Sequence, residues 1–173
     1  DNENINFYVD FLESTANAYV KLQEYDSAKK VITELQSYIF LYKATDETKT
    51  KVLMLVGQFH VMTGEYKEGL AKFRLTMQLV KESSVFSDVK KLKKISDALS
   101  YIGNTYYILG DYKNAIKYNE RAIESASNTS DPIYMVVYKH NIASSHLELS
   151  EWQESINMAT LASQQAKETN RNI

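Results

Sequence analysis

The sequence predicts an all-α solenoid of four helix–turn–helix units, eight helices in all. Three observations carry this prediction. The 173-residue chain holds one proline and five glycines, too few for the frequent turns of a sheet-rich fold. An acidic residue followed by an aromatic one recurs at Glu24-Tyr25, Glu65-Tyr66, Asp111-Tyr112 and Glu151-Trp152, with the aromatics 41, 46 and 40 positions apart. Small residues keep fixed offsets from each aromatic: Ala28, Gly69, Ala115 and Ser155 three positions after, Ala16, Gly57, Gly103 and Ala143 nine before. The small residues let two backbones approach, and the aromatic fills the groove between neighbours. The acid sits at a helix N-terminus, where negative charge is favoured. A helix pair this short cannot bury its apolar faces alone and needs copies on either side.

Taken in order, the first helix is expected from about Ile5 to Leu22, with Phe7, Phe11, Ala16 and Tyr19 inward, and the second from about Tyr25 to Phe40, with Ala28, Val31, Ile32 and Leu35 inward. Thr45-Asp46-Glu47-Thr48 reads as a polar connector with N-cap chemistry. The third helix carries Val52, Leu53, Val56, Gly57 and His60 and ends at Thr63-Gly64. The fourth spans about Tyr66 to Lys81, with Leu70, Phe73 and Met77 at helical spacing. A longer fifth helix, from after Ser87 to Leu109, accounts for the 46-residue interval. The sixth runs from about Tyr112 to Ser125, and a loop over Ser127 to Ser130 follows. Asp131-Pro132 is a start signal for the seventh helix, which reaches about Leu149, and the eighth covers about Trp152 to Glu168. The units are thus about 5–40, 46–81, 87–126 and 132–169, read as a single domain.

Composition narrows the function classes. Apolar content of 44% and charged content of 24% suit a globular protein, and a net charge of −2 gives no field drawing the chain to nucleic acid or an acidic membrane. No apolar run has the length of a membrane span and no signal peptide is visible. Without cysteine there is neither disulfide nor thiolate metal site, and a cytoplasmic setting is expected. The chain starts at Asp1, without methionine, and is expected to be part of a longer one. No nucleophile motif, phosphate loop or paired-carboxylate pattern is present, so no catalysis, metal or cofactor is expected.

Gly103, Tyr106, Gly110, Tyr112, Ala115 and Ala122 resemble the small-and-aromatic signature of the tetratricopeptide repeat, a helix–turn–helix unit that stacks into a right-handed superhelix. Ala16, Tyr19, Tyr25 and Ala28, then Gly57, Gly64, Tyr66 and Phe73, then Ala143, Trp152 and Ala162 match in the other units. The departures are Gly69 and Ser155 for alanine, Asn119 in an aromatic slot, and His60 and His146 where tyrosine is usual. The units also exceed the usual ~34 residues. In that respect they are similar to the peptide-pheromone receptors of Gram-positive bacteria and to the kinesin light chain class of scaffolds.

The resemblance implies that the first helix of each pair lines a concave groove. The residue after each small one then faces it: Asn17, Gln58, Asn104 and Ser144. An amide pairs with a backbone N–H and C=O together, so a row of them suits an extended peptide. Glu13, Met54, Ser100 and His140 lie one turn earlier, Val20, Val61, Tyr107 and Leu147 one turn later, and Asn141 also faces inward. The plainer alternative is a solvated polar face. A carboxylate clamp is not expected: Lys51 has Asp10, Asp97 and Val137 as its equivalents.

The resulting expectation is a non-catalytic peptide- or protein-binding module, the peptide-sensing part of a bacterial transcriptional regulator. The alternative is a scaffold that assembles larger proteins through its outer face or ends. A phosphatase-type regulator would need a further catalytic segment. The basic run Lys90-Lys91-Leu92-Lys93-Lys94 reads as a solvated helix face. His60 and His146 read as packing residues, and Trp152 and most tyrosines as the inter-repeat packing set. Ile156, Met158, Ala159, Leu161 and Ala162 give the last helix a broad apolar face, expected to be covered by further repeats or by a second copy of the chain.

Overall fold

Among the described residues of the computed structural model eight helices follow one another: α1 (Asn2–Lys21), α2 (Tyr25–Leu41), α3 (Asp46–Met62), α4 (Tyr66–Glu82), α5 (Asp88–Ile108), α6 (Tyr112–Ala126), α7 (Pro132–Glu148) and α8 (Trp152–Arg171). The structure describes residues 2–41, 44–127, 129 and 132–171, with side chains at 7–38, 44–127, 129 and 134–169. Asp131, read as an N-cap, and Ser130 lie outside the described residues. Among the described residues there is no strand, and no helix is long and apolar enough to cross a membrane. The chain forms two compact units, residues 1–85 and 86–173.

One turn repeats four times. After α1, Glu24 N donates to Tyr19 O at 2.9 Å; after α3, Glu65 N to His60 O at 2.7 Å; after α5, Asp111 N to Tyr106 O at 2.9 Å; after α7, Glu151 N to His146 O at 2.9 Å. This six-to-one bond is the Schellman motif, and it needs a left-handed residue just before the donor. Gly64 and Gly110 supply it at φ +82° and +76°, while Gln23 and Ser150 adopt it at +61° and +60°. The acid–aromatic pair seen in the sequence is therefore a turn signature: the acid closes the last turn of one helix and the aromatic opens the next.

In the unit of residues 1–85, Val9, Leu12, Ala16 and Val20 of α1 meet Ala28, Ile32 and Leu35 of α2 and Val52, Leu55, Val56 and Phe59 of α3. Phe7 and Phe11, expected inward, are 77% and 58% exposed. The helix phase is set by Ala16, fully buried, and Val9 and Leu12 share its face instead. Thr45 alone lies outside α3 as its N-cap, its hydroxyl accepting from Thr48 N at 3.2 Å. Asp46, Glu47 and Thr48, read as connector, form the first turn. Lys51 reaches from α3 to Asp10 and Glu13 of α1, both at 2.7 Å.

In the unit of residues 86–173, α5 is 21 residues long, which accommodates the wide third interval. Ala98, Leu99 and Ile102 of α5, Ala115 and Ala122 of α6, and Tyr138, Ile142 and Ala143 of α7 are buried, and the three helices contact one another. The basic run lies on the first turns of α5. Lys90 and Lys94 sit over the Phe86 ring at 5.6 and 5.2 Å, and Lys93 over Tyr134 at 4.5 Å, so these cations lie against aromatic faces. Trp152, expected to pack between neighbours, is 58% exposed, because no described element follows α8 to cover it.

Candidate functional site

The second unit contains a polar cleft of about 110 Å³ lined by Asn104 and Tyr107 of α5, Asn119 of α6, and Asn141, Ser144 and Ser145 of α7. Spacings of three and four residues put Ser100, Asn104 and Tyr107 on one stripe of α5 and Asn141, Ser144, Ser145 and Glu148 on one stripe of α7. Gly103 allows the close approach behind this cleft. A Cβ there would run into the Asn119 amide and lie 3.1 Å from the Ala115 carbonyl oxygen.

Asn119 is 1% exposed, and both polar atoms of its amide have a partner. Its Nδ2 donates to Ala115 O at 2.9 Å, and its Oδ1 accepts from Ser100 Oγ and Asn141 Nδ2, both at 3.2 Å. Asn141 Nδ2 also donates to Ser100 Oγ at 3.3 Å. Three helices thus share one set of hydrogen bonds, which offsets the cost of burying the amide. Below it, the Tyr138 hydroxyl lies 3.2 Å from Ser96 Oγ and 3.0 Å from Asp97 Oδ1, and burial pushes its phenol well above the usual tyrosine range. At the cleft mouth the Tyr107 hydroxyl donates to Glu148 Oε1 at 3.2 Å. Partial burial and then this carboxylate raise the Tyr107 pKa.

Of the residues expected to face a groove, Asn104, Tyr107, Asn141 and Ser144 come together in this cleft, whereas Val20, Val61 and Leu147 lie outside its lining. Ser100 lies beneath it, 9% exposed, and acts through Asn119 and Asn141. His140 is exposed on α7 outside the lining. In the first unit Asn17 is exposed on α1, Met54 and Gln58 are half-buried on α3, and Glu13 is paired with Lys51. Burial works against the Lys51 charge, but the hydrogen bonds to Asp10 and Glu13 outweigh it and raise its pKa.

The sequence reading did not place Asn119 or Ser145 at the site. The signal for Asn119 was its presence in a slot that Phe73 fills seven residues after the previous turn. The two histidines have a further contact. His60 Nδ1 pairs with Glu65 Oε2, and His146 Nδ1 lies 2.6 Å from Glu151 Oε2, each joining a helix end to the acid of the following turn. Among the described residues no group of three or more His, Asp or Glu side chains is placed to hold a metal ion.

Most of the α5–α6 pair is covered by a recognised family motif. Residues 96–128 match the tetratricopeptide repeat. Solved structures share the same all-α helical-repeat fold across nearly the whole chain. Aspartyl phosphate phosphatase F from Bacillus subtilis superposes with a TM-score of 0.82 over 98% of this chain and 43% of its own, at 17% identity. The apo form of RapI gives 0.75 over 94% and 44%, at 11% identity. A signal transduction ATPase with a tetratricopeptide repeat sensor, from Pyrococcus horikoshii, gives 0.75 over 92% and 24%, at 13% identity. The chain spans less than half the length of each of these proteins. No curated protein matches its sequence.

Proposed function

We propose that the chain is a non-catalytic peptide-binding module, the sensing part of a larger cytoplasmic regulator. The observation that carries this reading is the α5–α7 cleft, where Asn104, Tyr107, Asn141 and Ser144 converge on one open polar space. Amides and a hydroxyl at helical spacing provide alternating donors and acceptors for an extended main chain, and Tyr107 offers a flat apolar contact beside them. Two of the structural neighbours are an aspartyl phosphate phosphatase and a signal transduction ATPase with a tetratricopeptide repeat sensor. These neighbours favour a sensing role in signalling. Asn17, Gln58, Met54 and Glu13 are the candidate ligand contacts of the first unit, and His140 an outer contact of the second.

The test is capture of ligands from native extract by the wild-type chain and by an Asn104→Ala/Ser144→Ala variant, with mass spectrometry read for short peptides. A peptide held by the wild type and lost from a folded variant is the expected result. Larger proteins retained equally by both would establish the scaffold reading instead. One observation favours an additional partner surface: Trp152 and Ile156, one turn apart on α8, are 58% and 59% exposed. A further repeat or a second copy of the chain would cover them, and a monodisperse monomer that binds no hydrophobic dye would contradict this.

A further inference from the structure

The polarity of the cleft is set from behind its wall. The Ala115 carbonyl, inside α6, is a main-chain acceptor that cannot exchange roles, and it takes a hydrogen bond from Asn119 Nδ2 at 2.9 Å. That contact fixes the Asn119 amide, so its Oδ1 must face α5 and α7. An oxygen has no hydrogen to give, and Asn141 therefore turns its NH2 inward, toward Asn119 Oδ1 at 3.2 Å and Ser100 Oγ at 3.3 Å. Both Asn141 hydrogens are then engaged. Asn141 Oδ1 has no partner among the described residues, and none of their buried side-chain oxygens or nitrogens lacks one. That oxygen is consequently accessible, on a side chain that lines the cleft. Asn104 differs: it is exposed, has no side-chain partner among the described residues, and can present either end of its amide.

We infer that the cleft presents a fixed acceptor at Asn141, and that the ligand group seated there must carry an N–H or O–H donor. This rests on the peptide-binding reading above. Where a peptide main chain is seated there, its residue must bring an amide N–H, which excludes proline, because a proline nitrogen has no hydrogen and leaves the carbonyl acceptor unpaired. Asn119 is a positioning residue that reaches the ligand only through Asn141. A side chain buried in α6 thereby determines specificity.

Side-chain amide NMR on the full chain tests the inference. The probes are N-methylacetamide, which has one N–H, and N,N-dimethylacetamide, which has none. In the free protein the Asn141 NH2 is expected to exchange with water about tenfold more slowly than that of Asn104, the effect of its two hydrogen bonds. N-methylacetamide is expected to shift the Asn141 resonances saturably and N,N-dimethylacetamide to leave them in place. In Asn119→Leu the exchange gap closes and Asn141 responds to both probes. Equal exchange at Asn141 and Asn104, or an equal response of wild-type Asn141 to the two probes (including none), overturns the inference; these wild-type measurements stand even if the variant does not fold. A captured peptide with proline at the Asn141 contact would overturn it and leave peptide binding intact. Donor preference without any captured peptide would uphold it and remove the peptide reading.

Discussion

The α3–α4 and α5–α6 pairs solve the same packing problem with opposite chemistry. Each presents a glycine, Gly57 or Gly103, to the residue seven positions after the turn aromatic. In α4 that residue is Phe73, 1% exposed, whose ring would lie 2.5 Å from a Cβ on Gly57. In α6 it is Asn119, equally buried, against Gly103. The first arrangement is a dry plug. The second brings a buried amide among three helices, and its hydrogen bonds orient the wall of a polar cleft. A difference in one slot of a repeat thus separates an apolar packing contact from a buried hydrogen-bond network.

The contrast can be broken most forcefully by emptying the apolar slot. Phe73→Ala should cost about 3–5 kcal/mol, while Asn119→Ala, which removes little apolar area, should cost about 1–3 kcal/mol through the unpaired Ala115, Ser100 and Asn141 groups. Urea unfolding of the two variants checks the order. Gly103→Ala comes next: the added methyl meets the Asn119 amide and a main-chain oxygen, and overpacking of about 1–3 kcal/mol is expected, together with faster exchange of the Asn141 side-chain amide.

A pH series sharpens the comparison. Burial raises the Tyr138 pKa in the folded state, so the unfolded chain loses its proton first as pH rises. Stability from this group is full below about pH 10, the unfolded value, and falls as pH rises beyond it. Tyr138→Phe should flatten that decline in thermal unfolding scans. The smallest effect lies in the turns. Ser150→Gly should stabilise by about 0.5–1 kcal/mol, and Gly110→Ser should destabilise by a similar amount, because both positions hold φ near +60° to +76°. Thermal midpoints of the two variants would show opposite signs.

Much of this fold is legible in the sequence because its repeat is written in residues with steric meaning. The acid–aromatic pairs mark the Schellman turns, and Ala16, Gly57, Gly103 and Ala143 mark the contacts between paired helices. The phase of α1 was not legible: Phe7 and Phe11 are more apolar than Ala16, yet close packing at Ala16 decides which face is buried. At the candidate site, Asn104, Tyr107, Asn141 and Ser144 follow from the tetratricopeptide resemblance, which implies which helix of each pair lines a groove, combined with helical spacing. Asn119 was visible only as a departure from an aromatic pattern, since its role depends on Ala115, Ser100 and Asn141, which come from three different helices. The Glu65 and Glu151 contacts with histidines were hidden for a related reason: a spacing of five residues spans a turn, and helical periodicity does not pair such positions.

The most direct test of the central claim is peptide capture from native extract by wild-type chain and by Asn119→Leu, which gives α6 an apolar side chain like Ile32 or Phe73. A folded variant is expected, its affinity for the captured peptide lower by about tenfold, in line with one or two lost hydrogen bonds. Equal affinity in the two proteins, with the variant folded, would contradict the claim that the buried amide of α6 makes the cleft a binding site.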